Sequence, residues 1–113
     1  MKISGFSFAR NADKLYYPIA ESIRSILPIC DEFVIAAGKG DKDDRTREII
    51  ESIGDPRIRI IDTEWTDRRK LKGHIHSQQT NVALEQCSGD WCFYVQADEV
   101  VHEKDLPEIR RRC

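Results

Sequence analysis

Four short apolar runs, at residues 3–8, 33–37, 58–62 and 91–95, are separated by stretches whose apolar residues recur at helical spacing. This alternation constrains the fold more than any other feature. Successive strand–helix–strand units build a parallel sheet with helices packed on its faces. The first intervening helix presents Tyr16, Ile19, Ala20, Ile23, Ile26 and Leu27 on one face. Pro18 fits only a first turn, so regular helix is expected from about Tyr17, and Pro28 ends it. The second helix presents Thr46, Ile49, Ile50 and Ile53, with Asp43 or Asp44 as its cap and Gly54 then Pro56 at its end. A third helix, rich in polar residues, is expected over 77–87, and a short terminal one over 104–112 with Pro107 in its first turn.

Right-handed crossovers bring the carboxyl ends of all parallel strands to one edge of the sheet, where ligands of open α/β sheets bind. That edge gathers Ala9-Arg10-Asn11, the loop 38–44 (GKGDKDD), the aperiodic basic segment 64–76 and the pair Asp98-Glu99. The last of these belongs to the stretch 89–103, GDWCFYVQADEVVHE. Gly89-Asp90 is turn chemistry, and the aromatic-rich run after it reads as a strand buried on both faces. Two acids follow where the strand should end. Oxygen ligands of this kind suit Mg²⁺ or Mn²⁺, and a solvated turn is the other reading of the same two residues.

With 113 residues the chain is expected to form a single domain over 1–113, or part of one. Charged residues make up 34%, yet the net charge is only −2, which argues against a nucleic-acid-binding surface. Cys30, Cys87, Cys92 and Cys113 lack paired-ligand spacing, and free thiols in a reducing cytoplasm are expected. Cys30 and Cys92 sit in or beside apolar runs and read as small core residues. Trp65 and Trp91 read as core or pocket walls. His74 and His76 with Cys87 and Cys92 make a poor zinc set. His102 suits either a helix start or an approach to a phosphate, and Arg110-Arg111-Arg112 suits the C-terminal end of a helix. The opening residues lack a signal-peptide core, and no segment has the length of a membrane span, so the expected location is cytoplasmic, with peripheral membrane association also open.

Taken together, KISGFSFARN, FVIAAGKGDKDDRT and TNVALEQCSGDWCFYVQADEV resemble the start of family 2 glycosyltransferases with the A-type fold, over about residues 3–103. The resemblance implies an α/β, Rossmann-like, mostly parallel sheet of about four strands with alternating helices, the donor-binding half of such a domain. It implies a nucleotide-diphosphate sugar donor, a Mg or Mn divalent cation, and an acceptor that is a glycan, lipid or protein. Asp98 then corresponds to the last aspartate of the metal-binding DxD signature, and Glu99 to the acid that often follows it. Gln96 stands where the first DxD aspartate is usual, with Ala97 between. Asn11 corresponds to a residue near the base, with Phe8, Ala9 and Arg10 lining the same pocket. Asp44 and Thr46 correspond to the D-x-T that opens the second helix. Asp41 or Asp43 replaces the acids that many members carry after strand two. Asn81 keeps the family's spacing to Gly89, and Thr80 replaces the usual arginine before it. Lys72, with Arg68 and Lys70, supplies positive charge for the diphosphate. No residue corresponds to the family's catalytic base, so a non-catalytic donor-binding module is a second reading. An unrelated metal-dependent nucleotide-binding α/β domain is a third. An uncovered sheet edge would invite self-association.

Overall fold

The computed structural model describes residues 2–12, 17–63 and 72–112, with residues 72–77 described as backbone only. Strands β1 (Ile3–Ala9), β2 (Glu32–Gly38), β3 (Ile58–Thr63) and β4 (Trp91–Tyr94) form one sheet in the order β3-β2-β1-β4. Every pairing is parallel. Helices α1 (Ile19–Ile26), α2 (Thr46–Ser52) and α3 (Lys72–Glu85) make the crossovers, and α4 (Leu106–Arg112) follows β4. The α/β class and the four-strand parallel sheet expected from the sequence are therefore present.

Side chains alternate across the central strands and build a core on each face. Ile3 and Ala9 of β1, with Phe33 and Ile35 of β2, pack against Ile19, Ile23 and Ile26 of α1, Ile50 of α2 and Leu106 of α4. Phe6, Val34 and Ala36 point the other way, against Ala83 of α3. Ile19, Ile23 and Ile26 are at most 1% exposed, so each contributes about 2–3 kcal/mol of burial. This accounts for a helix of only two turns. Pro18 precedes α1 rather than lying inside it, and Pro28 sits in a 3-10 turn, Leu27–Ile29, that closes it.

Three sequence expectations change. The run at 91–95 is not buried on both faces: β4 lies at the sheet edge, Trp91 is 48% and Tyr94 36% exposed, and Val95 alone is fully buried. Trp91 is accordingly no core residue, while Trp65 lies outside the described residues. Cys92 is exposed rather than core, whereas Cys30 is buried as expected. The third helix begins at Lys72, inside the stretch expected to be irregular.

The turn into β4 is fastened to the amino edge of the sheet. Glu32 accepts from the Ser4 hydroxyl, from the Ser88 amide at 2.6 Å and from the Ser88 hydroxyl at 2.8 Å. The Gly89 amide donates to the Ser4 hydroxyl oxygen at 2.8 Å, and the Asp90 amide to the Lys2 carbonyl at 2.8 Å. A Cβ on Gly89 would lie 2.6 Å from that Ser4 oxygen and 2.7 Å from the Ser4 nitrogen, so the approach requires glycine.

Candidate functional site

The carboxyl ends of the strands carry two fastened loop systems with β1 between them. On the β2 side, Asn11 adopts φ 54°, a left-handed conformation that asparagine tolerates. Its carboxamide oxygen accepts from the Asp41 amide at 2.9 Å. Arg10 Nε donates to the Lys39 carbonyl at 3.0 Å, and its guanidinium lies 4.0 Å from Asp41. The loops after β1 and β2 are thus stapled together. Gly40 lies so close that a Cβ there would collide with the Asp44 carboxylate and the Asn11 oxygen. Asp44 itself accepts from the Thr46 amide at 3.2 Å and the Thr46 hydroxyl at 2.5 Å, one residue ahead of Arg45, which holds the N-cap position of α2 in place of the expected aspartate.

Between the 38–44 loop, the end of β3 and the first turn of α2 opens a cavity of about 530 Å³. Gly38, Asp41, Lys42, Arg47, Asp62 and Thr63 are among its walls. The volume is within the range of small-ligand sites. Arg47 is held by Asp62 at 3.3 Å and Glu51 at 3.4 Å. The Thr63 hydroxyl donates to Gln79 Oε1 at 2.5 Å, which ties the end of β3 to α3.

On the β4 side, residues 96–99 form a turn closed twice. The Glu99 amide donates to the Gln96 carbonyl at 3.0 Å, and the Gln96 amide to Glu99 Oε1 at 2.9 Å. Helix α1 supports the turn: Ser22 donates to the Gln96 carbonyl at 2.7 Å, and Ser25 accepts from the Val101 amide at 3.0 Å. Asp98 is exposed at the turn. Beside it, burial raises the Tyr94 phenol above its ordinary pKa; a hydrogen bond with Thr80 opposes this, and the Glu99 and Asp98 carboxylates add to it. Tyr94 stacks on Phe8 at 6.4 Å and 10° and meets Phe6 at 5.3 Å.

The strand order reverses between β1 and β4, so these loops flank the switch point where ligands of such sheets bind. Adjacent strands are spaced by ~4.8 Å, which puts β2 and β4 roughly 10 Å apart. A ligand seated in the cavity and reaching Asp98 crosses the end of β1.

Of the expected site residues, Asp41 and Asp44 line the cavity, and Arg10 and Asn11 hold its loop. Ala9 is buried beneath, and Phe8 stands under the β4 side. Gln96, Ala97, Asp98 and Glu99 share the second turn. Asn81 is exposed on α3 and is not among the cavity walls. Lys72 opens α3, but its side chain, like Arg68 and Lys70, lies outside the described residues, as do the side chains of His74 and His76. Arg47, Asp62 and Thr63 were not singled out from the sequence. Asp62 and Thr63 end a strand, and Arg47 directly follows the D-x-T, so their positions were the available signal. His102 accepts from the Lys104 amide at 3.1 Å and caps a helix start. Arg111 and Arg112 pair with Glu108 at 2.7 Å, at the end of α4.

Among the described residues, no group of three or more His, Cys, Asp or Glu side chains gathers as a closed metal site. A cation held by one or two carboxylates together with substrate phosphates needs no such cage, and Asp98 suits that arrangement. Glu99 commits one oxygen to its turn.

No protein-family model and no curated protein sequence matches the chain. Its fold matches solved structures of S. aureus TarS. The structure of TarS residues 1–349 superposes with a TM-score of 0.63 at 23% identity, covering 98% of this chain and 32% of that one. The same segment solved with UDP-GlcNAc gives 0.62 at 23% identity, covering 98% and 30%, and with UDP 0.63 at 23% identity, covering 98% and 31%. The chain therefore spans about a third of the length of these three structures. The likeness is one of fold, and it agrees with the A-type glycosyltransferase resemblance in the sequence. No helix among the described residues is long and apolar enough to cross a membrane.

Proposed function

We infer that this chain is the donor-binding portion of a glycosyltransferase, taking a nucleotide-diphosphate sugar across the end of β1 with a Mg or Mn cation at Asp98. One observation carries the reading: a cavity of about 530 Å³ on the β2–β3 side and an exposed carboxylate on the β4 side flank the switch point of the sheet. The TarS structures that share this fold include complexes with UDP and UDP-GlcNAc, which supports a uridine-type donor. The nucleoside occupies the cavity, where Asp41 and Asp62 can accept hydrogen bonds from ribose or base. The diphosphate passes the Asn11 loop toward Asp98. When bound, a divalent cation there supplies Lewis-acid stabilisation of charge on the departing diphosphate.

Calorimetric titration with UDP, with and without Mn²⁺, tests the assignment. Binding is expected to strengthen with Mn²⁺, and Asp98→Ala is expected to weaken the Mn²⁺-dependent part tenfold or more. Unchanged Mn²⁺-dependent binding by that variant removes Asp98 from the site. Binding of other nucleotides but no uridine or sugar nucleotide favours an unrelated nucleotide-binding domain.

A further inference from the structure

Cys87 and Cys92 stand on either side of the turn that leads from α3 into β4. Both belong to the α3 face of the sheet. Cys92 is the register partner of Ser4, and Tyr94, two residues on, packs against Phe6 of that face. Cys87 borders the core cluster built by Phe6, Val34, Ala36 and Ala83. The two positions flank one turn on the same face of the sheet, close enough for each thiol to act on the other's proton, and the Cys87 thiol donates to the Ala83 carbonyl at 3.5 Å. Cys92 is exposed and Cys87 half-buried, both as free thiols. Cys30, buried in the core of the opposite face, is remote from the pair. Desolvation pushes the Cys87 thiol up to about 12, and the neighbouring Cys92 adds to it. The accessible member of the pair is therefore Cys92.

We propose that Cys87 and Cys92 form an oxidisable dithiol, a modification site at which a hydroperoxide converts the pair to an intramolecular disulfide. The Cys92 thiolate attacks one peroxide oxygen, the O–O bond breaks, and the departing oxygen leaves as water or an alcohol after taking a proton. Cys92 is then a sulfenic acid. The Cys87 sulfur attacks the Cys92 sulfur, the S–O bond breaks, and hydroxide departs with the Cys87 proton as water. Two thiols lose two electrons in all, and the peroxide gains them. The new bond ties the C-terminal end of α3 to β4, the strand that leads to Asp98.

The test is hydrogen peroxide treatment of the full folded chain, followed by peptide mapping without reductant. The expected product is a peptide joining position 87 to position 92, lighter by two hydrogens, whose yield is unaffected by dilution or by Cys30→Ser. In Cys87→Ser, Cys92 is expected to stop at a sulfenic acid that dimedone traps, with circular dichroism confirming the fold. The proposal is overturned if Cys92 oxidises to a sulfinic acid while Cys87 stays reduced. It is equally overturned if Cys92 pairs with Cys113 or only with a second chain.

Discussion

Ser22, buried on α1, donates its hydroxyl hydrogen to the carbonyl oxygen of Gln96 across 2.7 Å, and so hangs the Asp98 turn on the first helix of the fold. Removing that hydroxyl leaves the Gln96 carbonyl with the Glu99 amide as its remaining donor, at a cost of about 0.5–1.5 kcal/mol. Ser22→Ala is expected to lower the thermal midpoint. It should also weaken Mn²⁺-dependent UDP binding several-fold, because the Asp98 turn loses its anchor. Calorimetry at a temperature where both proteins are folded separates the two effects. Equal affinities would mean that the turn positions itself.

The Asn11–Asp41 bond and the close packing of Gly40 fix the loop that borders the cavity. Asn11→Ala removes the acceptor and places alanine in a left-handed conformation, which costs about 1 kcal/mol or more. UDP affinity is expected to fall about tenfold, a change of ~1.4 kcal/mol. Gly40→Ala should have at least as large an effect, because its methyl group meets the Asp44 and Asn11 oxygens. If both variants bind UDP as tightly as the parent chain, the cavity is not where the nucleoside sits.

Glu32 gives the fold an acid-sensitive fastening. Burial pushes its carboxyl up, but hydrogen bonds from Ser4 and Ser88 and the charge of Lys2 outweigh this and bring it from 4.5 down to about 2. A folded-state value below the unfolded one contributes stability in full above pH 4.5 and loses it as pH falls through about 2. Glu32→Gln is expected to lose about 1–3 kcal/mol at neutral pH, since charge-assisted bonds are lost. Its stability should also change less than that of the parent chain across the interval from pH 4.5 to about 2. Thermal melts in that window check it. Parallel curves for the two proteins would refute the assignment.

Tyr94 joins the sheet edge to the acidic turn through Phe6, Phe8 and Thr80. Tyr94→Leu keeps apolar volume but loses the aromatic pairs, worth about 0.5–1.5 kcal/mol each. Tyr94→Phe keeps the rings and loses only the hydroxyl. The first variant is expected to melt clearly lower and the second close to the parent chain. The reverse ranking would show that the Thr80 bond dominates.

Periodicity and turn chemistry were enough to read the parallel sheet and the end of α1 at Pro28, while the cap of α2 falls on Arg45, one residue past the expected Asp43 or Asp44. The burial of β4 was misread for a physical reason. Trp91, Phe93 and Tyr94 form an apolar run whether the strand is central or at an edge, and only the order β3-β2-β1-β4 reveals which. Cys92 was misplaced by the same inference. The start of α3 at Lys72 was hidden because the sequence of its first turns is mostly polar; among the described residues its apolar contacts with the sheet are made by Val82 and Ala83. For the site, Asp98 and the Asn11 loop stood out as residue types after apolar runs. Arg47 and Asp62 did not, because their convergence on one cavity depends on two crossovers folding back over the same edge.

Gly89 sits within the most recognisable stretch of the sequence, yet it lies at the amino edge of the sheet, with Ser4 where a side chain would go. Any chain that turns this tightly against its first strand meets the same steric demand, whatever chemistry it performs at the opposite end. A search pattern anchored on that glycine will therefore collect proteins that share a hinge of the scaffold. One anchored on Asp41, Arg47 and Asp62 will select those that share a pocket.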